Sequence, residues 1–196
     1  MDAPAIADGE PMTEREKMLA GQLYDAGDRE LAGMRKRARA LMRAYNASTE
    51  EQPDQRERLI RELFGRVGAR PEIEPPFYCD YGVHIFAGDR LYVNFGCVVL
   101  DPNEVHLGHN VFLAPRVQIV TATHPIVAAE RIAGPELGYP VRIGNNVWIG
   151  AGAIICPGVT IGDDTTIGAG SVVVKDIPAR VLAVGNPCRV VRTLDT

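Results

Sequence analysis

Several features that would place a protein in other functional classes are missing from this sequence. It has no apolar run near the roughly 18–20 residues needed to cross a bilayer, so we expect no membrane partner. Residues 1–11 have neither a basic start nor an apolar stretch, which predicts a flexible tail rather than a signal peptide. The net charge of −4 argues against a nucleic-acid partner, because such proteins normally present a broad basic patch.

Cysteine is also scarce, and its spacing is irregular. The four cysteines form no CxxC pair and no regular framework, which argues against a zinc site and against a disulfide scaffold. Sparse thiols in a chain without an evident export signal favour a reducing, cytoplasmic location. The cysteines are Cys79, Cys97, Cys156 and Cys188.

Helical periodicity is present over residues 13–64. Thr13 and Glu16 form a capping-box pattern that predicts a short helix over residues 14–22. Asp28 is positioned to cap a longer helix with apolar residues at helical spacing, and a third helix follows it. Basic residues crowd the second helix, and we interpret them as a solvated face: Arg35, Lys36, Arg37, Arg39 and Arg43.

After Pro71 the period of the apolar residues becomes six. Aliphatic or cysteine side chains recur in three runs, separated by a four-residue shift at residues 101–104 and by a longer interruption at residues 120–142. Glycine often follows the aliphatic residue, as in Ile143-Gly144. The runs are Ile73, Cys79, Ile85, Leu91 and Cys97; Leu107, Leu113 and Ile119; and Ile143, Ile149, Ile155, Ile161, Ile167 and Val173.

This six-residue repeat predicts a β-solenoid. Each hexapeptide supplies one short strand and one turn, and three of them close a triangular coil around an aliphatic core. We expect the aliphatic side chains to stack on residues 18 positions away, which would bring Cys79 and Cys97 together on adjacent coils. Each buried aliphatic side chain contributes about 1.5–3 kcal/mol. The glycines are expected to relax the turns, where a Cβ atom would be crowded.

Six short motifs along the chain point to one protein family. They are CDYG at 79–82, NF at 94–95, TATHP at 121–125, IGNNVWIG at 143–150, PGVTIGD at 157–163 and GNPCR at 185–189. With these motifs the chain resembles the maltose/galactoside O-acetyltransferases. The resemblance implies a mainly β fold, a left-handed parallel β-helix with an N-terminal α-helical cap, in contrast to the usual right-handed crossover. It divides the chain into a tail (1–11), a cap (12–70) and a β-helix domain (71–196) with a protruding loop (120–142).

The activity that the resemblance implies needs a base. Acetyl transfer from acetyl-CoA to a sugar hydroxyl is slow without one, because a free hydroxyl is a weak nucleophile near neutral pH. Histidine suits this role because its unperturbed pKa is about 6.5. We interpret His84, His106 and His109 as structural or solvated residues. His124 differs because it lies in the THP motif where the repeat breaks, and the resemblance identifies it as the general base.

The resemblance also implies an acidic residue that orients the catalytic histidine. Glu136, in the sequence GPELG, matches that position, and Glu130 is the competing candidate. A carboxylate near the imidazole would fix its tautomer and stabilise the imidazolium.

The residues expected to contact the acceptor sugar include two departures from the family pattern. Where the galactoside enzymes carry aspartates, this chain has Ala26 and Pro102, and the neighbouring aspartates are candidates to replace them. Sugar hydroxyls need hydrogen-bond donors and acceptors of this kind. The expected acceptor residues are Asp80, Tyr92, Asn94, Asp25 and Asp101.

Acetyl-CoA is the expected co-substrate, and no metal is required. Small residues would bind the pantetheine arm through their backbone groups, and basic residues would supply charge for the phosphates. Trp148 is either a wall of the thioester channel or a packing residue. The resemblance further implies a homotrimer with sites shared between neighbours. The expected cofactor residues are Trp148, Ala151, Ala169, Val174, Lys175, Arg189 and Arg192.

Three alternatives stay open from the sequence. Another hexapeptide acyltransferase, with a xenobiotic or an amino-acid hydroxyl as acceptor, would share the repeats but not the CDYG motif and the cap. A γ-type carbonic anhydrase would need three zinc-binding histidines, and only His106 and His124 are 18 residues apart. A non-catalytic solenoid would be unaffected by His124→Gln, which should cost an enzyme about 10²–10⁴-fold in rate.

Overall fold

Helices occur mainly at the amino-terminal end of the protein. The structure, a computed structural model, describes residues 11–195, so the tail expected over residues 1–11 lies outside the described residues except for Pro11. Among those residues, no helix combines the length and the hydropathy that a bilayer crossing requires. The helices are α1 (Glu14–Leu19), α2 (Arg29–Asn46), α3 (Pro53–Leu63) and α4 (Ala128–Ile132).

Capping interactions set the ends of the first two helices. The Glu16 N–H donates to the Thr13 hydroxyl at 3.2 Å, and the Thr13 N–H donates to the Glu16 carboxylate at 2.7 Å. The predicted capping box is therefore confirmed, but α1 ends at Leu19 because Gly21 takes a left-handed φ of 70°. Asp28 caps α2 as predicted, since its carboxylate accepts two N–H groups of the first turn.

Short strands make up most of the remaining chain. The first nine are β1 (Arg66–Val67), β2 (Glu72–Ile73), β3 (Tyr78–Cys79), β4 (Ile85–Ala87), β5 (Tyr92–Val93), β6 (Val98–Leu100), β7 (Val105–Leu107), β8 (Phe112–Leu113) and β9 (Gln118–Val120). Then follow β10 (Ala122–Thr123), β11 (Leu137–Gly138), β12 (Val141–Ile143), β13 (Trp148–Ile149), β14 (Ile154–Ile155), β15 (Thr160–Ile161), β16 (Thr166–Ile167), β17 (Val172–Val173), β18 (Val181–Val184) and β19 (Arg189–Thr193).

Three parallel sheets form the walls of a solenoid. Strands from successive coils are hydrogen-bonded neighbours, and each full coil gives one strand to each sheet. The first sheet contains β1, β4, β7, β12 and β15, and the third contains β3, β6, β9, β14 and β17. The second contains β2, β5, β8, β13, β16 and β18, with β19 antiparallel at its edge. The predicted mainly β solenoid with an N-terminal helical segment is confirmed.

The number of residues per coil changes along the solenoid. In the first coils Cys79 pairs with Val99, which is a repeat of 20 residues. In the last coils Ile149 pairs with Ile167, which is a repeat of 18 residues. The predicted 18-residue stacking is therefore correct only for the later coils, and the predicted stacking of Cys79 on Cys97 is wrong.

Two extra residues at one corner explain the longer coils. The strand residues Val67, Ile73 and Cys79 are buried and six residues apart, but the next buried residue of the series is Ala87, eight residues later. The same addition recurs after Val99, before the next coil begins. The apparent four-residue shift in the sequence is therefore two successive shifts of two residues.

Glycine follows the inward residue because neighbouring coils approach closely there. Gly144 has no left-handed φ, yet a Cβ atom on it would lie 2.2 Å from Asp163 Oδ1 and 2.8 Å from the Asp163 backbone nitrogen. Gly108 is equally crowded, since its Cβ atom would lie 2.7 Å from the Gly144 backbone. The predicted crowding of a Cβ atom at these glycines is confirmed, and its cause is the close contact between coils and not a left-handed turn conformation.

The turns at one corner use polar residues in the left-handed conformation. Asn110, Asn146 and Asp164 have φ values of 55°, 57° and 56°, which Asn and Asp tolerate better than most residues. Their side chains also bond from coil to coil. Asn110 Nδ2 donates to Asn146 Oδ1 at 2.6 Å, and Asn146 Nδ2 donates to Asp164 Oδ1 at 2.8 Å. This corner therefore carries a polar ladder that fixes the register of the coils.

The helical cap shares a hydrophobic core with the first coils. Met42 of α2 and Leu63 of α3 belong to the same apolar cluster as Phe77 and Ile85. The Tyr45 hydroxyl at the end of α2 donates to a backbone carbonyl of the first coil. Burial and hydrogen bonding thus dock α2 and α3 onto the solenoid.

One buried amide joins α1 to the solenoid. Asn103, which is 2% exposed, directs its Nδ2 to the carbonyl oxygens of Met18 and Leu19 at 3.1 Å each and of Gly138 at 2.9 Å. Its backbone N–H donates to Thr121 Oγ1 at 2.9 Å. The end of α1, strand β11 and a coil therefore meet at a single side chain.

We predict that Gly144→Ala lowers the free energy of unfolding by about 1–3 kcal/mol, because the new methyl group overlaps the Asp163 backbone. Gly33→Ala is the matched control. Gly33 lies in α2 with nothing within 4 Å of an added Cβ atom, so this change should stabilise the protein by up to about 1 kcal/mol. Urea unfolding at equal protein concentration measures both, and equal stabilities would contradict the close-contact explanation.

Candidate active site

A polar pocket of about 330 Å³ opens beside His124. Its walls come from the segment before α2, from α2 itself, from the turns after β3 and β6, and from the ends of β10 and β11. These parts are distant in sequence, so the pocket exists only when the cap and the solenoid are docked together. The lining residues are Ala26, Arg35, Asp80, Tyr81, Pro102, Ala122, His124 and Glu136.

A short antiparallel pairing brings the segments that carry His124 and Glu136 together. Ala122 of β10 pairs with Gly138 of β11, and Thr123 pairs with Leu137. Continuing this register by one residue puts His124 opposite Glu136. The interruption of the repeat thus folds back on itself, and the histidine at its start is exposed to solvent at the pocket.

Tyr24 holds Glu136 in position from the cap. The two backbones exchange hydrogen bonds of 3.1 and 3.0 Å, and the Tyr24 hydroxyl donates to Glu136 Oε2 at 2.9 Å. Tyr24 is 2% exposed, and burial together with the neighbouring carboxylate raises its pKa well above the usual range. Its hydroxyl therefore stays protonated and remains a donor. The sequence prediction missed Tyr24, because a lone aromatic residue between two helices carries no motif.

The structure brings Glu136 to the pocket without a direct bond to the imidazole. Within residues 11–195, the carboxylates in contact with histidines are those of Glu104 and Asp89, and neither contact involves His124. The competing candidate, Glu130, lies in the exposed helix α4 and does not line the pocket.

Arg35 and Asp80 supply opposite charges to the pocket. Arg35 donates to the Tyr81 hydroxyl at 2.6 Å and to the Ala26 carbonyl at 2.5 Å, and its guanidinium lies 5.5 Å from the centre of the Tyr81 ring. Burial raises the pKa of Asp80, and the positive charge of Arg35 partly offsets that rise. The interpretation of Arg35 as part of a solvated helix face is therefore wrong.

Asp101 and Asp25 do not reach the pocket. Asp101 is fully buried, and its carboxylate accepts N–H groups of Asp80 at 3.0 Å and Tyr81 at 2.8 Å. Burial raises the pKa of Asp101 to about 7. Asp25 is exposed and accepts the Gly27 N–H at 2.7 Å. The expected sugar contact of Asp101 is thus incompatible with its burial, and its position supports the turn that carries Asp80.

Tyr92 and Asn94 lie on a different face of the solenoid. Tyr92 belongs to β5 of the second sheet, whereas the pocket beside His124 adjoins the third. Both residues line a shallow groove of about 320 Å³ with Phe112 and Trp148. Trp148 is 52% exposed there. A single copy of the chain therefore does not bring these four side chains to His124.

The expected cofactor residues are all exposed on the last coils. Ala151 and Ala169 occupy the same corner of adjacent coils, since the Gly170 N–H donates to the Ala151 carbonyl at 2.8 Å. Arg189 and Arg192 lie on β19, the antiparallel edge strand. The backbone and charged groups of these residues are thus accessible to a ligand. The exposed set is Trp148, Ala151, Ala169, Val174, Lys175, Arg189 and Arg192.

The other histidines have local structural contacts. His84 is buried, with its Nδ1 atom 2.8 Å from the Asp101 carbonyl oxygen, and burial lowers its pKa. His106 stacks on Phe86 and pairs in register with Arg142, not with His124. In the part of the chain that the structure describes, no three His, Cys, Asp or Glu residues are grouped to hold a metal.

Family models match both parts of the chain. The maltose acetyltransferase hexapeptide capping motif matches residues 17–68, which contain α2 and α3. The bacterial transferase hexapeptide model, with six repeats, matches residues 140–175 in the later coils.

Similar proteins share the whole architecture. The galactoside O-acetyltransferase of Escherichia coli K12 is 44% identical over 94% of this chain and 90% of its own length. A maltose O-acetyltransferase from Clostridium difficile 630 superposes with a TM-score of 0.93 at 50% identity, covering 94% of this chain and 99% of its own. A galactoside acetyltransferase in complex with coenzyme A superposes with a TM-score of 0.92 at 42% identity, covering 94% of this chain and 92% of its own. This chain therefore belongs to the maltose/galactoside O-acetyltransferase family of hexapeptide-repeat acetyltransferases.

Proposed function

We propose that this protein transfers the acetyl group of acetyl-CoA to a hydroxyl group of a sugar, with His124 as the general base. The observation that carries the proposal is the single pocket that His124, Glu136, Asp80 and Arg35 line together. An acid, a guanidinium and the Tyr81 hydroxyl can together accept from and donate to several sugar hydroxyls. The maltose and galactoside O-acetyltransferases among the similar proteins support the same acceptor class.

The chemistry needs one proton to move twice. The neutral imidazole of His124 takes the proton of the attacking hydroxyl while the sugar oxygen bonds to the thioester carbonyl carbon. The tetrahedral intermediate then collapses, its carbon–sulfur bond breaks, and the imidazolium returns the proton to the departing thiolate. The products are the acetylated sugar and free coenzyme A, so no other reactant is consumed.

Glu136 acts on this step through its charge. Glu136 lines the same pocket as His124, and its negative charge would favour the imidazolium that forms in the transition state. Tyr24 fixes one carboxylate oxygen, which leaves the other free to face the histidine. The cap thus positions the acid while the solenoid positions the base.

We further propose that the active unit is a homotrimer in which a second copy completes each site. Tyr92, Asn94 and Trp148 lie on another face of the same chain, so a neighbouring copy is needed to bring such a face to His124. The interrupting loop also exposes the apolar side chains of Ile126 (90%) and Ile132 (82%), as interfaces do. In a closed cyclic assembly, every copy has this surface covered by a neighbouring copy.

Acetyl-CoA would lie along the exposed later coils. The galactoside acetyltransferase structure with 42% identity is a complex with coenzyme A. The later coils of this chain expose Lys175 and Arg189. Their charge suits the phosphates of the cofactor. The exposed backbone at Ala151 and Ala169 suits the amides of the pantetheine arm.

We predict that His124→Gln lowers the rate of thiol release from acetyl-CoA, in the presence of a sugar acceptor, by about 10²–10⁴-fold. The matched control is His109→Gln, since the His109 side chain is 59% exposed and lies in a solenoid turn away from the pocket. That variant should keep the wild-type rate. Equal rates for the wild type and His124→Gln would contradict the catalytic role, and thiol release with non-sugar acceptors alone would contradict the sugar assignment.

Tyr24→Phe should lower kcat by about 10-fold, because the Glu136 carboxylate loses a hydrogen bond worth about 1.5 kcal/mol. The KM for acetyl-CoA should not change, since the cofactor residues lie on other coils. Tyr45→Phe is the control: Tyr45 is also 2% exposed and its hydroxyl bonds a backbone carbonyl of the first coil, so this change should affect stability but not kcat. Equal kcat values in the two variants would argue against positioning of Glu136 by Tyr24.

A further inference from the structure

A second groove of about 430 Å³ lies next to the pocket of His124, between α2 and strand β3. It contains two arginines of α2 and a tyrosine of β3 that is 50% exposed. The proposed transfer reaction uses none of these side chains. The lining residues are Arg39, Met42, Arg43, Asn46, Ala47 and Tyr78.

This groove continues directly from the acceptor pocket. Tyr78 begins β3 and lines the groove, and Asp80, two residues later, directly follows the strand and lines the acceptor pocket. On the facing helix, Arg35, Arg39 and Arg43 recur every four residues and therefore share one face. The positive charges of both Arg35 and Arg39 lower the pKa of Asp80 against the effect of burial, as expected if both face that carboxylate.

The groove is built rigidly around Tyr78. The side-chain amide of Asn46 binds both backbone groups of Phe77. The Phe77 N–H donates to Asn46 Oδ1 at 2.9 Å, and Asn46 Nδ2 donates to the Phe77 carbonyl oxygen at 3.0 Å. On the other side, the Cys79 N–H donates to the sulfur of Met42 at 3.0 Å. Both neighbours of Tyr78 are thus bound to α2, and the phenol ring projects between them at a fixed place.

The groove is also a local positive surface on a protein whose net charge is −4. Over residues 11–195, the arginines and lysine in ion pairs are Arg15, Lys17, Arg37, Arg61 and Arg180, so Arg39 and Arg43 have no carboxylate within 4.0 Å. A guanidinium beside an aromatic face suits a sugar ring that carries an anionic group. The sugar ring packs on the phenol ring, and the anionic group accepts hydrogen bonds from the guanidinium N–H groups.

We propose that this groove is a subsite for the sugar unit next to the one that is acetylated, and that this second unit is anionic, as a uronic acid is. The proposal rests on the sugar acetyltransferase function proposed above and names its acceptor class as an acidic oligosaccharide. The acetylated unit lies at Asp80 and His124. The second unit packs on Tyr78, and its carboxylate binds Arg39 and Arg43.

The test compares three acceptors in the thiol-release assay: a monosaccharide, a neutral disaccharide, and the disaccharide whose second unit is the corresponding uronic acid. The uronate should have a kcat/KM at least about 10-fold above that of the neutral disaccharide, as charge-assisted hydrogen bonds provide. Arg43→Gln should remove this preference, and Tyr78→Ala should lower kcat/KM for both disaccharides. Neither change should affect the monosaccharide or the KM for acetyl-CoA.

Lys36→Gln is the matched control for charge, because Lys36 is exposed on α2 next to Arg35 and does not line the groove. It should leave the uronate preference intact. Equal kcat/KM values for the neutral and acidic disaccharides in the wild type would overturn the subsite while leaving the acetyl transfer itself in place.

A direct titration of the acidic disaccharide into the protein, without acetyl-CoA, separates this proposal from the proposed function. If no sugar supports thiol release but Arg43→Gln still weakens binding of the acidic disaccharide by about 10-fold or more, the transfer function fails and the subsite stands. If Arg43→Gln and the wild type bind that disaccharide equally well, the subsite is wrong whatever the activity.

Discussion

The close approach of one coil to the next is the constraint on which the rest of the structure depends. At Gly144 and Gly108 the chain passes so near to its neighbour that a single methyl group would overlap backbone atoms. This spacing lets the interior strands of the three sheets pair with the coils before and after them, and it lets side chains such as Asn110 and Asn146 bond along a corner. Coils stacked in this way form a rigid scaffold, so a side chain on any coil has a fixed position along the solenoid axis and lies on a fixed face.

The candidate active site lies where that scaffold is interrupted. The loop leaves the stack after β9, pairs with itself through β10 and β11, and returns in phase at β12. The pairing brings both ends of the loop, with His124 and Glu136, to one pocket, and Tyr24 of the cap binds Glu136 from outside the solenoid. The proposed base and acid therefore belong to one loop, whereas the other walls of the pocket come from the cap and from the turns after β3 and β6. Their arrangement is a consequence of tertiary docking and not of any local motif.

Sequence patterns were sufficient for the solenoid, because its fold depends on local features. The six-residue repeat and the capping box of Thr13 are short-range signals, and the break in the repeat marks the segment that carries His124 to the pocket. The role of His124 as a base stays a prediction. Coil length was not predictable in the same way. The buried residues Ile85 and Cys97 fit a six-residue count, although the partners of Val67 and Cys79 on the next coil are Ala87 and Val99.

Long-range contacts account for the remaining differences at the site. Nothing near Asp101 in sequence indicates that its carboxylate is enclosed by backbone N–H groups of residues about 20 positions earlier. Arg35 lies among other basic residues of α2 in the sequence, and its hydrogen bond to the Tyr81 hydroxyl is what distinguishes it. Side chains whose role is set by packing against distant segments carry no periodic signal.

The amide of Asn103 links parts of the protein that could otherwise open independently. It bonds the end of α1 and strand β11 at the same time, so release of α1 from the solenoid also loosens the loop between β9 and β12. Local opening in proteins proceeds through such cooperative units. The first helix and the loop that carries His124 therefore form one such unit, and the pocket beside His124 keeps its arrangement only while α1 remains packed against the solenoid.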